Sequence, residues 1–174
     1  MKNYIVFDLE WNQSANGKER SIPHFPFEII EIGAVKLNEN FQMTGEFHRL
    51  VRPQVYTQMH HAISEVTHMD MKELRNSGEL FPDAAADFLS WCGGDAVFCT
   101  WGNMDLLELQ RNMDYYHMDN PFPKPLLYYD VQKLYGLFCR ENARISLDSA
   151  VEEQSLLENR PFHRALDDAY YTGK

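Results

Sequence analysis

Two carboxylates interrupt an apolar run close to the N-terminus of this 174-residue chain. Asp8 and Glu10 lie within residues 4–11, whose β-branched and aromatic side chains are typical of a buried strand. Because successive side chains of a strand point to opposite faces, the two acids share one face, roughly 7 Å apart. Ionised carboxylates there need a cation or hydrogen-bond donors to offset repulsion and lost hydration. The alternative is a strand that ends early and leaves both acids in solvent.

A further acid follows a short apolar strand that ends at Trp101-Gly102. Asp105 falls in the first turn of the helix predicted to begin there. Open α/β sheets bind their ligands at such strand ends, so this acid is a candidate partner for the first two. A carboxylate in the first turn also complements the helix dipole, which is worth only ~0.3–1 kcal/mol, so a purely structural role stays open.

A histidine and two acids come together near the C-terminus. His163 follows the helix-breaking Pro161 and precedes Asp167 and Asp168. On an ideal helix His163 and Asp167 are neighbours on one face, whereas Asp168 lies about 140° round from His163. Among the other histidines only His68, beside Asp70, has a comparable acidic context. A surface or core histidine without a chemical role is the alternative.

Two other places could supply partners. The polar segment 63–68 enters a predicted helix and could line a substrate groove, or it is an ordinary helix start. Glu28 is the odd residue on an otherwise apolar strand. It is either a solvated edge acid or a side chain that points back towards the acids of the first strand.

The elements that must position these residues indicate an α/β domain with a mixed sheet. Strands are predicted over residues 4–11, 27–37, 41–51, 96–101 and 126–131, with a hairpin turn at 38–40. Helices are predicted from residue 64, over 84–92, from 103 through 113, around 134–138, over 146–157 and from 162 onward. No repeat or linker divides the chain, so we expect one domain over residues 1–174, with its last helix cut short.

Composition excludes several classes of protein. No apolar run is long enough to span a membrane, and no signal peptide precedes the first strand. The three cysteines lack CxxC spacing, which is typical of reduced thiols in a cytoplasmic protein. The net charge of −10 argues against coating long nucleic acids. It still allows a site that holds a short end, because two divalent cations would bring four positive charges to the phosphates.

Together the motifs resemble the DEDDh (RNase T-like, DnaQ-like) superfamily of 3′→5′ exonucleases. The resemblance covers nearly the whole chain and rests on motifs in a fixed order: Asp8-x-Glu10, the strand 28–35, the segment 63–67, Asp105 after Trp101-Gly102, and His163 with Asp168. The surroundings of Asp8 and Asp105 look most like the Eri-type RNA exonucleases and their bacterial KapD-like relatives. A lone Asp-x-Glu is a weak signal, but the ordered set is a strong one.

The resemblance implies a ribonuclease H-like fold and a two-metal hydrolysis of phosphodiesters. Asp8, Glu10, Asp105 and Asp168 would carry two Mg²⁺ or Mn²⁺ ions, with Asp8 as the bridging ligand and Glu10 also serving catalysis. His163 would take a proton from the attacking water, since histidine side chains titrate near pH ~6.5. The family pattern selects Asp168 over Asp167, which requires His163 to lie in the loop before the helix.

The same resemblance suggests which residues hold the substrate, the 3′ end of a single-stranded nucleic acid, with RNA favoured. Leu9, Trp11, Glu28, Thr67 and His163 are the candidates for stacking on the terminal nucleotide and bonding to its sugar. A proofreading-type DNA exonuclease is the nearest alternative. A non-catalytic nucleic-acid-binding module on the same fold is the other, although the intact acids and histidine count against it.

Overall fold

The computed structural model describes residues 2–16, 21–139 and 144–174, and these ranges form five strands and seven helices. The strands are β1 (Asn3–Gln13), β2 (Phe27–Leu37), β3 (Met43–Leu50), β4 (Ala96–Thr100) and β5 (Tyr128–Asp130). The helices are α1 (His61–Thr67), α2 (Met71–Ser77), α3 (Phe81–Cys92), α4 (Met104–Tyr115), α5 (Val131–Cys139), α6 (Leu147–Glu153) and α7 (Ala165–Gly173).

The five strands form one mixed sheet in the order β3-β2-β1-β4-β5. Strand β1 lies near its centre, antiparallel to β2 and parallel to β4. Strands β2 and β3 form the predicted hairpin, and β5 extends the sheet in parallel beyond β4. The predicted α/β class with a mixed sheet is confirmed.

Helices cover both faces of the sheet because the buried strands are apolar on both sides. One face packs Ile5, Phe7 and Leu9 of β1 against the apolar sides of α3 and α4. The other face packs Val6 and Val35 against α7 and the start of α5. The acids of β1 lie on this second face, since Asp8 and Glu10 follow Val6 at intervals of two.

Most element boundaries differ from the sequence prediction by a few residues, and three of the differences bear on the site or the sheet edge. The predicted helix from residue 64 is two short helices, because His68 adopts a left-handed φ of 57° and Asp70 caps α2 by accepting a hydrogen bond from Glu73 N. Strand β5 is shorter than predicted and mostly exposed, as befits the edge of the sheet. Helix α7 begins at Ala165, and His163, with φ 64°, lies in the loop before it.

Two predictions from composition concern the cysteines and the helices. Cys92, Cys99 and Cys139 are free thiols, the first two buried. Among the described helices, none combines the length and the apolar character that crossing a membrane requires.

Candidate active site

The two acids of strand β1 lie opposite residues of β2. Asp8 pairs with Gly33 and Glu10 with Glu31 across the antiparallel ladder. Both β1 acids are partly buried, and the strand continues to Gln13. The alternative of a strand that ends early and leaves the acids in solvent is therefore wrong.

Asp105 lies against β1 where β4 has stopped pairing with it. The parallel ladder between β1 and β4 ends at Val6 and Cys99. Beyond that point the amide of Leu9 donates a hydrogen bond to Asp105 Oδ1 at 3.2 Å. Asp105 is only 5% exposed, so the first turn of α4 fixes this carboxylate beside the β1 acids rather than in solvent.

Asp168 and His163 form one local unit at the start of α7. The amide of His163 donates to Asp168 Oδ2 at 3.1 Å and Oδ1 at 3.3 Å, and the His163 side chain is exposed. Asp167 instead accepts a hydrogen bond from Arg160 Nη1 at 3.0 Å. The loop position of His163 explains how the fifth residue after it, rather than the fourth, becomes its partner.

Three of the four predicted metal ligands meet in one group. Asp8, Glu10 and Asp168 each offer a carboxylate oxygen, and these oxygens lie within 4.8 Å of one another. Asp105 is not in that group but is close enough for its charge to raise the pKa of Asp8. The donor set consists of carboxylate oxygens alone, which fits a hard divalent cation such as Mg²⁺ or Mn²⁺.

The electrostatics of the acids show why a cation would be favoured here. Burial, followed by the charges of Asp105, Glu10 and Asp168, raises the pKa of Asp8 well above its ordinary range. Burial, followed by the charge of Asp168, also raises the pKa of Glu10. Burial raises the pKa of Asp168 to about 7, although the His163 amide opposes this. Without cations, these acids therefore bind protons more readily than free carboxylates do, and a bound cation would compete with those protons.

A fifth acid at the site, Glu31, has a different environment. It is 1% exposed, and Arg164 Nη2 and Nε donate to its Oε1 at 2.9 Å and 3.1 Å. The Ala165 amide donates to its Oε2 at 3.0 Å, and His48 Nε2 lies 2.6 Å from its Oε1. Burial acts to raise the pKa of Glu31, but the bonds from His48, Arg164 and Ala165 outweigh it and lower this pKa.

Sequence reasoning assigned no role to Glu31, Arg164 or His48. Each residue belongs to a different element, and the contact between Glu31 and Arg164 joins residues 133 positions apart. The sequence offers one signal for Glu31. It lies two residues before Gly33 on a predicted strand, so the two residues share one face of the sheet. Only the register of β1 with β2, which sets Glu31 opposite Glu10, reveals its position.

Glu28 does not face the site or the solvent, which corrects the sequence expectation. It is 1% exposed, and its carboxylate accepts hydrogen bonds from the amides of Gln54 and Tyr56 at 2.6 Å and 2.7 Å. The Val55 amide and the Tyr116 hydroxyl donate to it as well. Glu28 therefore fixes the segment after β3, and its oxygens are occupied within the protein.

Two more substrate-binding candidates have buried side chains. Leu9 is 3% exposed and its side chain packs in the core beneath β1. Thr67 is 2% exposed; its hydroxyl donates to Ile63 O and accepts from the Met69 amide, so it ends helix α1. Trp11, in contrast, is partly buried and lies beside Phe27 with ring centroids 5.5 Å apart. Trp11 also packs against this core, so His163 is the one of the five candidates whose side chain is exposed.

Comparison with protein families and curated proteins gives consistent matches. The model of the RNase T family, described as exonuclease, matches residues 5–174. KapD of Bacillus subtilis, a probable 3′-5′ exonuclease, is 28% identical over 175 residues, which cover 95% of this chain and 78% of KapD. A PolC-type DNA polymerase III of Thermotoga petrophila is 31% identical over 149 residues, which cover 84% of this chain but 10% of the polymerase.

Solved structures share the fold. The nuclease domain of 3′hExo, a DEDDh family member solved with rAMP bound, superposes with a TM-score of 0.80 at 23% identity, covering 99% of this chain and 88% of that one. Exonuclease I of E. coli, solved with a dT13 oligonucleotide, gives a TM-score of 0.78 at 14% identity, covering 99% and 40% of the respective chains. At these identities the likeness concerns the fold, and it confirms the ribonuclease H-like class.

Proposed function

We propose that this chain, which belongs to the RNase T family of exonucleases, trims single-stranded RNA from its 3′ end with two divalent cations. The 3′→5′ exonuclease activity of DEDDh type follows from the family and from KapD. The two cations and the role of His163 go beyond this and are proposed from the site, and the choice of RNA is proposed from similar proteins. We also propose that residues 1–174 form one exonuclease domain. We propose the cytoplasm as the location of the protein.

The observation that carries the proposal is the group of Asp8, Glu10 and Asp168, with oxygens within 4.8 Å of one another. These three residues would hold Mg²⁺ or Mn²⁺, and Asp105 on α4 would add a further negative charge beside Asp8. When bound, such cations neutralise phosphate charge and make water more acidic. Glu10 serves the reaction as a ligand in this group.

His163 is proposed as the general base. Its backbone is fixed by Asp168, whereas its imidazole is exposed and able to approach a phosphate at the end of a strand. A neutral imidazole accepts the proton of a water molecule as the water oxygen forms its bond to phosphorus. The bond from phosphorus to the 3′ oxygen of the preceding nucleotide breaks, that oxygen takes up a proton, and a nucleoside 5′-monophosphate leaves.

The preference for RNA is supported by two solved structures of similar fold. The nuclease domain of 3′hExo was solved with rAMP bound, and another structure shows 3′-end specific recognition of a histone mRNA stem-loop by a 3′-exonuclease. The partly buried Trp11 offers an aromatic face of the kind that stacks on unpaired bases. Stacking tolerates any base, so we propose end recognition without strong sequence preference.

A DNA exonuclease is the second candidate, and a specific observation favours it. The PolC-type polymerase is the relative with 31% identity, and Exonuclease I was solved with DNA oligonucleotides. The two candidates share the acidic site and differ in the sugar of the substrate.

Matched RNA and DNA oligonucleotides of one sequence, labelled at the 5′ end, test both candidates in a single assay. We expect RNA to shorten stepwise from its 3′ end in Mg²⁺ or Mn²⁺, and neither substrate to be cut in EDTA. Faster shortening of the DNA would favour the second candidate. Cutting in EDTA, or cutting from the 5′ end, would contradict the proposal.

A further inference from the structure

Glu31 is an acid at the site that is not among the proposed metal ligands, so its role is unexplained. It lies opposite Glu10 in the sheet and is as buried as a core residue, at 1% exposed. A buried carboxylate without compensation is costly, so its partners show what it is for. Those partners are Arg164, the Ala165 amide and His48, and all three approach within 3.1 Å of a carboxylate oxygen.

Two of these partners are the residues at which α7 begins. Arg164 is the N-cap residue of α7 and Ala165 is its first residue. The carbonyl of Arg164 in turn accepts a hydrogen bond from the amide of Asp168 at 2.9 Å. A continuous set of bonds therefore runs from Glu31 on β2, through the first turn of α7, to Asp168 and from there to the amide of His163.

The close approach of α7 to β2 supports the same arrangement. A Cβ added at Gly33, two residues along β2 from Glu31, would overlap the backbone of Ala165 and Leu166. Helix α7 thus rests directly on the sheet at Gly33 and is bonded to it at Glu31. Contact alone would let the helix slide along the strand, whereas the bonds to Glu31 fix the first turn in place.

We propose that Glu31 is a positioning residue, which fixes the start of α7 so that Asp168 and His163 face Asp8 and Glu10. Arg164 has a second effect, because its guanidinium occupies Glu31 and keeps this fifth acid out of the cation-binding group. The inference rests on the proposed metal centre and deepens it. Residues that hold metal ligands in place without binding the metal are important in this way. Their removal typically lowers metal affinity or activity by about 10–100-fold.

A second ion pair at the same end of α7 provides a matched control. Arg160 donates to Asp167 at 3.0 Å and to Glu46 of β3 at 3.1 Å, so it also ties this segment to the sheet. The side chains of Glu46 and Arg160 are 42% and 29% exposed, however, and neither contacts Asp168 or Glu31. Exposed pairs contribute little, so removal of Glu46 should leave the site intact.

The test compares three variants of the full chain by calorimetric titration with Mn²⁺ alone. Glu31→Gln removes the charge, and Glu31→Asp keeps the charge but withdraws it by one methylene from Arg164 and Ala165. We expect both to bind Mn²⁺ about 10–100-fold more weakly than wild type, and Glu46→Gln to match wild type. Hydrogen exchange of segment 163–168 should be faster in both Glu31 variants and unchanged in Glu46→Gln.

The kinetic readout separates positioning from general loss of structure. We expect both Glu31 variants to lower kcat and to leave KM for the oligonucleotide within about twofold of wild type, because Glu31 is only 1% exposed and its oxygens are bonded within the protein. If Glu31→Gln does not fold, Arg164→Lys serves in its place, since lysine keeps the charge but not the two-pronged contact.

Three outcomes would overturn the inference. Wild-type Mn²⁺ affinity in both Glu31 variants would show that Glu31 does not position the site. Weak binding in Glu31→Gln with wild-type binding in Glu31→Asp would assign the effect to charge alone. An equal loss of Mn²⁺ affinity in Glu46→Gln would show that any weakened contact between α7 and the sheet has this effect. A wild-type protein that binds no Mn²⁺ would instead contradict the proposed metal centre, so the two failures are distinguishable.

Discussion

The amide of His163 donates a hydrogen bond to the carboxylate of Asp168, with 3.1 Å between His163 N and Asp168 Oδ2. This bond closes a tight loop in which His163 has a φ of 64°, in the left-handed region. A proposed base and a proposed metal ligand are thereby joined through the backbone, while the imidazole stays free for chemistry. The loop and the first turn of α7 therefore form one unit at the site.

Asp168→Asn should abolish most activity without unfolding the protein. The amide oxygen can still accept from His163 N, but the substitution removes a negative charge from the group with Asp8 and Glu10. We expect a rate loss of more than about 100-fold, since even indirect partners of a metal cost about 10–100-fold. Asp167→Asn is the control, because Asp167 bonds to Arg160 instead. Equal rates for the two variants in the oligonucleotide assay would argue against the group.

Gly33→Ala should destabilise the protein and disturb the site together. The new Cβ would overlap the backbone of α7 at Ala165 and Leu166, which cannot move as a flexible side chain could. Such overpacking costs about 1–3 kcal/mol, so the melting temperature should fall by roughly 2–4 °C for each kcal/mol. Gly45→Ala is the matched control, because its Cβ would meet Trp91 at an ordinary 3.6 Å. If the two variants melt alike, α7 does not rest on Gly33 as described.

The stability of the metal-free protein should fall as pH rises from about 4 to about 8. Burial raises the pKa of Asp168 to about 7 and raises those of Asp8 and Glu10 as well. In the unfolded chain these groups titrate near their ordinary values of about 4. Between the two values the folded state binds more protons than the unfolded state, so the free energy of unfolding decreases with pH and then levels off.

Thermal melting in EDTA across that pH range measures this effect. Millimolar Mg²⁺ should raise the melting temperature most at the upper end of the range, where the carboxylates are ionised and bind the cation without displacing protons. Asp168→Asn should flatten the dependence in EDTA, since it removes one of the titrating groups. A metal-free stability that rises between pH 5 and 7 would contradict the description of the acids.

Local patterns in the sequence predict the five strands, apart from several of their bounds, and the shared face of Asp8 and Glu10. Alternation along β1 placed Asp8 and Glu10 on one face, and the bounds of β2 were predicted as observed. The loop position required for His163 is also observed. These features depend on residues close together in the chain. The inclusion of Asp105 and Asp168 in the site came from the ordered motifs of the family.

What the sequence could not predict depends on contacts between distant elements. Glu28 and Glu31 lie on the same strand and look alike in the sequence, yet one holds the segment after β3 and the other holds the start of α7. Their roles are decided by register and by partners up to 134 residues away. Thr67 was predicted to face the substrate, but its hydroxyl is used to end α1, which no spacing rule reveals.

The dependence of rate on pH, compared between wild type and His163→Ala at saturating Mg²⁺, tests most directly whether the exposed imidazole beside Asp168 is the base. Only the neutral imidazole accepts a proton, so kcat of the wild type should fall as pH is lowered and the histidine becomes charged. His163→Ala should lose about 10²–10⁴ in rate, lose that acid limb, and keep its affinity for Mn²⁺. A mutant with the wild-type rate and an unchanged acid limb would contradict the account.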